Sequence, residues 1–210
     1  MGKRWGWLVV AALAIVAAGA AWALFGDTGP GAARARFAIG DDKFEFDRRY
    51  LQRGREDEVV ELAAFFPDFG PAARTDDVTT RTDMNERFRR TVVLELRPAD
   101  PQIDPADRTS RLYLRFLGEA ATNEAGGLVA RAFDPTSPFA GDELHFTPPE
   151  GRPFAARCRR ADAAATVPQV CVAEFRSGGV DAEIRFSAAL LPEWQALTKG
   201  AKALLESGRR

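Results

Sequence analysis

The chain has 210 residues, enough for one domain with a core of its own, and it is close to neutral, with 29 lysines and arginines against 30 aspartates and glutamates. That balance argues against a nucleic-acid surface, which needs a clear basic excess. One histidine and two cysteines leave too few ligands for a zinc site of the Cys and His type, and a Cys-x-x-Cys redox pair is absent.

Residues 5–25 form an apolar run without charge or proline. Its length matches the roughly 20 residues that an α-helix needs to cross the hydrocarbon core. Lys3 and Arg4 precede it and favour a cytoplasmic N-terminus, while Trp5, Trp7 and Trp22 sit where indole rings settle at headgroup level. A cleaved signal sequence is the competing reading, because Ala18-Gly19-Ala20 and Ala21-Trp22-Ala23 have the small-residue spacing of a signal peptidase site. Either way, residues from about 27 onward lie outside the cytoplasm. With Lys3 and Arg4 set aside, that part has 27 basic and 30 acidic residues, a net of about −3. Its basic residues are nearly all arginine and alanine is abundant, a usage common in GC-rich bacteria, so the outer compartment reads as the periplasm. The expected organisation is a transmembrane anchor or signal sequence over 1–26, a flexible tether over 27–35 and a periplasmic domain over 36–210.

The domain opens with a hairpin, in which Phe37, Ile39, Phe44 and Phe46 alternate around the turn Gly40-Asp41-Asp42. A basic cluster follows, Arg48, Arg49, Arg53 and Arg55, suited to an acidic partner or to anionic headgroups. A strand is expected over 59–66 and another over 91–97, separated by a long polar loop over 70–90. Asp104 as cap and Pro105 at the first helical position predict an α-helix over 105–117, with Leu112, Tyr113, Phe116 and Leu117 on its buried face.

From Gly126 the chain reads as a meander, with strands over 128–133, 142–147, 154–159, 170–176 and 180–186. Cys158 shares a parity with Phe154 and Ala156, and Cys171 with Ala173 and Phe175. Both thiols thus point to the apolar face of neighbouring antiparallel strands, which places a disulfide between them. Two free buried thiols are the alternative. Pro192 starts an amphipathic closing helix, with Leu190, Trp194, Leu197, Ala201 and Leu204 on one side. In the strand over 142–147, Leu144 and Phe146 are expected to face the core and His145 to face outward. The acidic pairs Asp41-Asp42, Asp76-Asp77 and Asp142-Glu143, and the run Glu56-Asp57-Glu58, fall at turns and strand ends. No catalytic, cofactor-binding or metal-binding constellation stands out.

Arg49-Tyr50-Leu51 after a short hairpin, Phe66-Pro67-Asp68-Phe69 after a strand, Cys158 with Cys171, and Arg185-Phe186-Ser187 leading to Leu191 and Trp194 give the chain its resemblance. It resembles small, uncharacterised membrane-anchored periplasmic proteins of Gram-negative bacteria, some of which look like immunity or accessory factors of secretion systems. The resemblance implies an architecture and no established activity.

The expected fold is α+β: an N-terminal transmembrane helix, then an antiparallel sheet of about six or seven strands covered on one face by two helices. The expected function is a non-enzymatic interaction protein of the cell envelope, single-pass in the inner membrane. Its partners would be the lipid bilayer, through residues 5–25, and an envelope protein, with no nucleic acid and no cofactor. Two other classes stay open: an envelope hydrolase using acidic residues or His145, and a solute-binding module with an apolar pocket.

Overall fold

The structure, a computed structural model, describes residues 34–56, 59–72, 80–160 and 169–210. The apolar run over 5–25 lies outside the described residues, as do residues 27–33 of the tether expected over 27–35, Asp57, Glu58, Asp76 and Asp77. Among the described residues no helix is long and apolar enough to cross a membrane.

The expected hairpin is present. Strands β1 (Arg34–Ile39) and β2 (Asp42–Asp47) pair in antiparallel register, with Phe37 opposite Phe44. Alternation places Ala35, Phe37, Ile39, Phe44 and Phe46 inside, and Arg34, Arg36, Ala38 and Lys43 outside. A 3-10 turn over Arg48–Tyr50 leads into β3 (Leu51–Glu56), then β4 (Val59–Phe65) and the two-residue β5 (Gly70–Pro71). Helix α1 (Arg81–Arg90) precedes β6 (Thr91–Pro98). Beyond residues 99–117 come β7 (Thr122–Asn123), β8 (Val129–Ala132), β9 (Asp142–Phe146), β10 (Ala155–Arg159), β11 (Val170–Ser177) and β12 (Val180–Ser187). A 3-10 turn over Ala188–Glu193 then feeds α2 (Trp194–Gly208).

Among the described residues, ten strands form one antiparallel sheet in the order β3-β4-β6-β12-β11-β10-β9-β8-β7, with β5 beside β4. The expectation of six or seven strands is therefore too low. The excess comes from short pieces that leave little periodic signal, β5 and β7 of two residues each and the irregular β3.

The two faces of the sheet are covered differently. On one face Leu62, Leu94, Ile184, Ala173 and Cys171 join Leu197, Ala201, Leu204 and Leu205 of α2 and the four phenylalanine and isoleucine side chains of the hairpin in the main core. Residues 105–117 pack on the opposite face, where Tyr113, Leu114, Phe116 and Leu117 surround Phe133, Leu144 and Phe146. The expectation that both helices lie on one face is corrected: α2 packs on one face and residues 105–117 on the other, where Leu144 and Phe146 of β9 join the second core. His145 is corrected too: it is only 6% exposed because its side of β9 faces the disulfide side of the sheet, across from Ala130 and Ala156.

Residues 105–117 are also not an α-helix. Asp104 caps and Pro105 starts the segment as read, but the backbone runs as a 3-10 turn (Pro105–Asp107), a π turn (Thr109–Tyr113) and a second 3-10 turn (Leu114–Phe116). Tyr113 and Phe116, three residues apart, both reach Phe139. The loop expected over 70–90 contains α1. Its sequence has no apolar face, but Thr80 and Asp83 form a reciprocal capping box, and Thr80-x-x-Asp83 is the local signal for it.

Cys158 and Cys171 face each other in register and are joined, with Cα atoms 4.1 Å apart. The bond matters locally because β10 and β11 pair only from Ala156 to Cys158.

Candidate interaction face

Four glutamates stand in one row across the sheet. Glu61 of β4 is opposite Glu95 of β6, Glu95 is opposite Glu183 of β12, and Glu183 is opposite Glu174 of β11. Like charges directly opposite one another on neighbouring strands are destabilising. Arginines on either side offset the repulsion. Arg185, two residues further along β12 and so on the same face, reaches Glu183 at 2.8 Å, Glu61 at 3.1 Å and also Glu95. Arg97 bridges Glu95 at 3.1 Å and Glu183 at 3.0 Å. Arg108, from the other side of the groove, holds Glu174 at 2.8 Å.

The row is the floor of a trough. Helix α1 lies along one side, packed on β12 and with Arg87 and Arg90 stacked over Phe65, which shares the parity of Glu61. Residues 99–113 form the other side. Arg176 fastens them by bonding Asp181 and the carbonyls of Asp100 and Ile103. The glutamate side chains are 14 to 19% exposed, whereas those of Arg97 and Arg185 are 36 and 37% exposed. The floor thus presents acid beneath arginine heads that water and a partner can both reach.

At its far end the trough deepens into a cavity of about 280 Å³. It forms where the ladder between β10 and β11 stops, at Ala156 and Ala173, while both chains run on. Arg97, Arg108, Tyr113, Arg157, Glu174 and Arg176 border it, as do Thr198 and Lys202 of α2 on the opposite face of the sheet. Burial pushes the Glu174 carboxyl above the usual carboxylate range, more than Arg108 draws it down. Burial raises the Tyr113 phenol too. The lining is polar: arginines hold Glu174 and Glu183, and Asp104 accepts from the Ala106 backbone N–H.

The residues singled out in the sequence fall elsewhere. Arg49 forms a bidentate pair with Asp47, at 2.7 Å for the shorter contact, on the exposed 3-10 turn next to the hairpin, where Arg48 is also exposed. Arg53 and Arg55 belong to β3, and their side chains lie outside the described residues. His145 Nε2 is 3.1 Å from Glu143, whose carboxylate also accepts from Gln169. Asp142 points to the other face, against Arg157 at 2.6 Å and Arg159 at 3.2 Å, so Asp142 and Glu143 do not converge. Asp42 pairs with Arg209 and accepts from Gly179 N. The row Glu61, Glu95, Glu183 and Glu174 was not singled out, because each residue reads in its own strand as an ordinary wet-face acid. Only the strand register brings the four together.

No protein-family model matches the chain, and no curated protein matches it. Among solved structures it is similar to Smlt3025, an immunity protein of the Stenotrophomonas maltophilia type IV secretion system. The TM-score is 0.60 and the identity 15%, over 85% of this chain and 94% of that one. The likeness is one of fold.

Proposed function

We propose that this chain is a periplasmic binding protein, held to the inner membrane by residues 5–25, that captures a protein partner in the manner of an immunity protein. The charged trough carries the reading. A row of four like charges is a poor choice for stability, and it persists here only with three arginines arranged around it. Such a fixed alternation of sign suits recognition, since it rewards a partner of complementary pattern and penalises others. The fold shared with a secretion-system immunity protein supports the same reading. So do the uncharged apolar run and the disulfide, which fits an oxidising compartment.

The domain organisation is proposed as read from the sequence, an anchor over 1–26, a tether from 27 and a periplasmic domain, with one boundary corrected: Arg34 and Ala35, expected in the tether, pair with Asp47 and Phe46 in β1, so the domain begins at Arg34. The test is competition under cell contact between the parent strain and a strain lacking this protein. The deletion strain is expected to be killed by its parent and rescued by the intact chain. It should not be rescued by an Arg97→Glu, Arg185→Glu chain that accumulates to the same level. Equal survival of the deletion strain would rule out an immunity role.

A further inference from the structure

We propose a second docking surface, distinct from the trough: the outward face of the β1–β2 hairpin rests on the anionic headgroups of the bilayer that anchors the chain. The proposal relies on the anchor reading for residues 5–25. Three observations carry it.

The first is charge. From Arg34 onward the chain has 27 basic and 29 acidic residues. The hairpin with its following turn, residues 34–50, together with Arg209 and Arg210, holds seven of those basic residues and four of the acidic ones. The rest has 20 basic against 25 acidic residues, so the domain is polarised, with its positive excess at the hairpin. The tip of α2 contributes because Arg210 N donates to the Lys43 carbonyl at 2.9 Å, which lays the last two residues along β2.

The second is the arrangement. Arg34, Arg36 and Arg210 all converge on Glu45, and their own side chains remain 66, 55 and 56% exposed. Three arginines on one buried carboxylate leave that hub net positive. Beside it lies an open hollow of about 330 Å³, lined by outward-facing Ala38 and by Phe37 and Phe44, whose rings belong to the main core. Arg36, Lys43 and Arg210 rim it and Glu45 lines one side. A shallow hollow rimmed by cations matches the anionic headgroup of a lipid.

The third is reach. Eight residues separate Phe25 from Arg34. A glycine-rich chain of that length spans about 16 Å as a coil and at most about 28 Å when extended. The hairpin is the first element after the tether, so it is held close to the membrane surface, where the attraction of an anionic leaflet acts over a Debye length of about 8 Å. Docking there would fix the orientation of the domain and hold the trough in one direction relative to the membrane.

The test uses the full chain reconstituted in lipid nanodiscs, either zwitterionic or with about a third of anionic lipid, with backbone hydrogen exchange as readout. Exchange over residues 34–49 is expected to slow by about threefold or more in the anionic discs, and high salt should remove the difference. The Arg34→Glu, Lys43→Glu chain should show no slowing. Because the wild-type salt response is itself decisive, the test stands even if that variant fails to fold. Incorporation into both discs with equal, salt-insensitive exchange would overturn headgroup docking and leave the anchor intact. Failure to incorporate into either disc would overturn the anchor reading, and the docking with it.

Discussion

Single residues set how firmly the domain holds its two charged surfaces. Cys158 and Cys171 close a loop with a sequence separation of 13 and staple a ladder of three residue pairs. Replacing both with serine should lower stability by about 3 kcal/mol in the chain-entropy view, read from urea unfolding. Exchange protection should fall first around the cavity between β10 and β11. Glu45 responds to pH. Its hydrogen bond from Arg36 is the largest of the effects that bring its pKa down to about 2, and Asp47 is held at about 2 chiefly by Arg49. Carboxylates depressed in the folded state stabilise above their unfolded pKa, and that contribution fades as pH falls through the folded value. Thermal midpoints should therefore drop between about pH 4.5 and pH 2, and a Glu45→Gln chain should drop less steeply over that window.

Whole elements show what local pattern can and cannot disclose. By propensity Gly200 is a weak point within α2 and Gly208 a residue suited to ending it. In the fold they are where α2 is pressed upon, since a methyl group at either would collide with the ring of Phe69 or of Phe46. Helix propensity alone favours Gly200→Ala by about 1 kcal/mol. The collision should reverse that sign and destabilise by about 1 to 3 kcal/mol, measurable by denaturant titration. The sheet row makes a parallel point. Arg185→Ala removes the contacts that Glu61, Glu95 and Glu183 share. It should cost about 1 to 2 kcal/mol, and the variant should regain stability with added salt while the parent changes little. The strands were legible because alternation and turn residues are local, with Gly178 at φ +59 closing the β11–β12 turn. Helix α1 was not, because its ten residues bury no side chain and show no periodic stripe.

For the molecule as a whole, the sequence announced an α+β chain with an antiparallel sheet, a closing helix and a disulfide. It did not announce two-sided burial. Leu144 and His145 alternate as if one faced water, yet the segment over 105–117 covers the Leu144 side of β9 and His145 on the other side is buried as well. Nor could composition reveal the trough, since four glutamates from four strands become one feature only through register. The resulting domain places a mixed-charge trough on one face of its sheet, and the hairpin on the other face concentrates positive charge. The role proposed for the trough is to meet a partner protein. Site-specific photo-crosslinking in intact cells tests it most directly, with the crosslinker at Val172, beside the glutamate row, at Arg97 within the trough, and at Gln195 on the exposed side of α2 as control. Adducts of a single discrete mass at Val172 and Arg97, absent at Gln195 and lost on Arg185→Glu, are the expected result. No adduct at either trough position under conditions where the protein protects its host, or equal adducts at all three, would contradict the account.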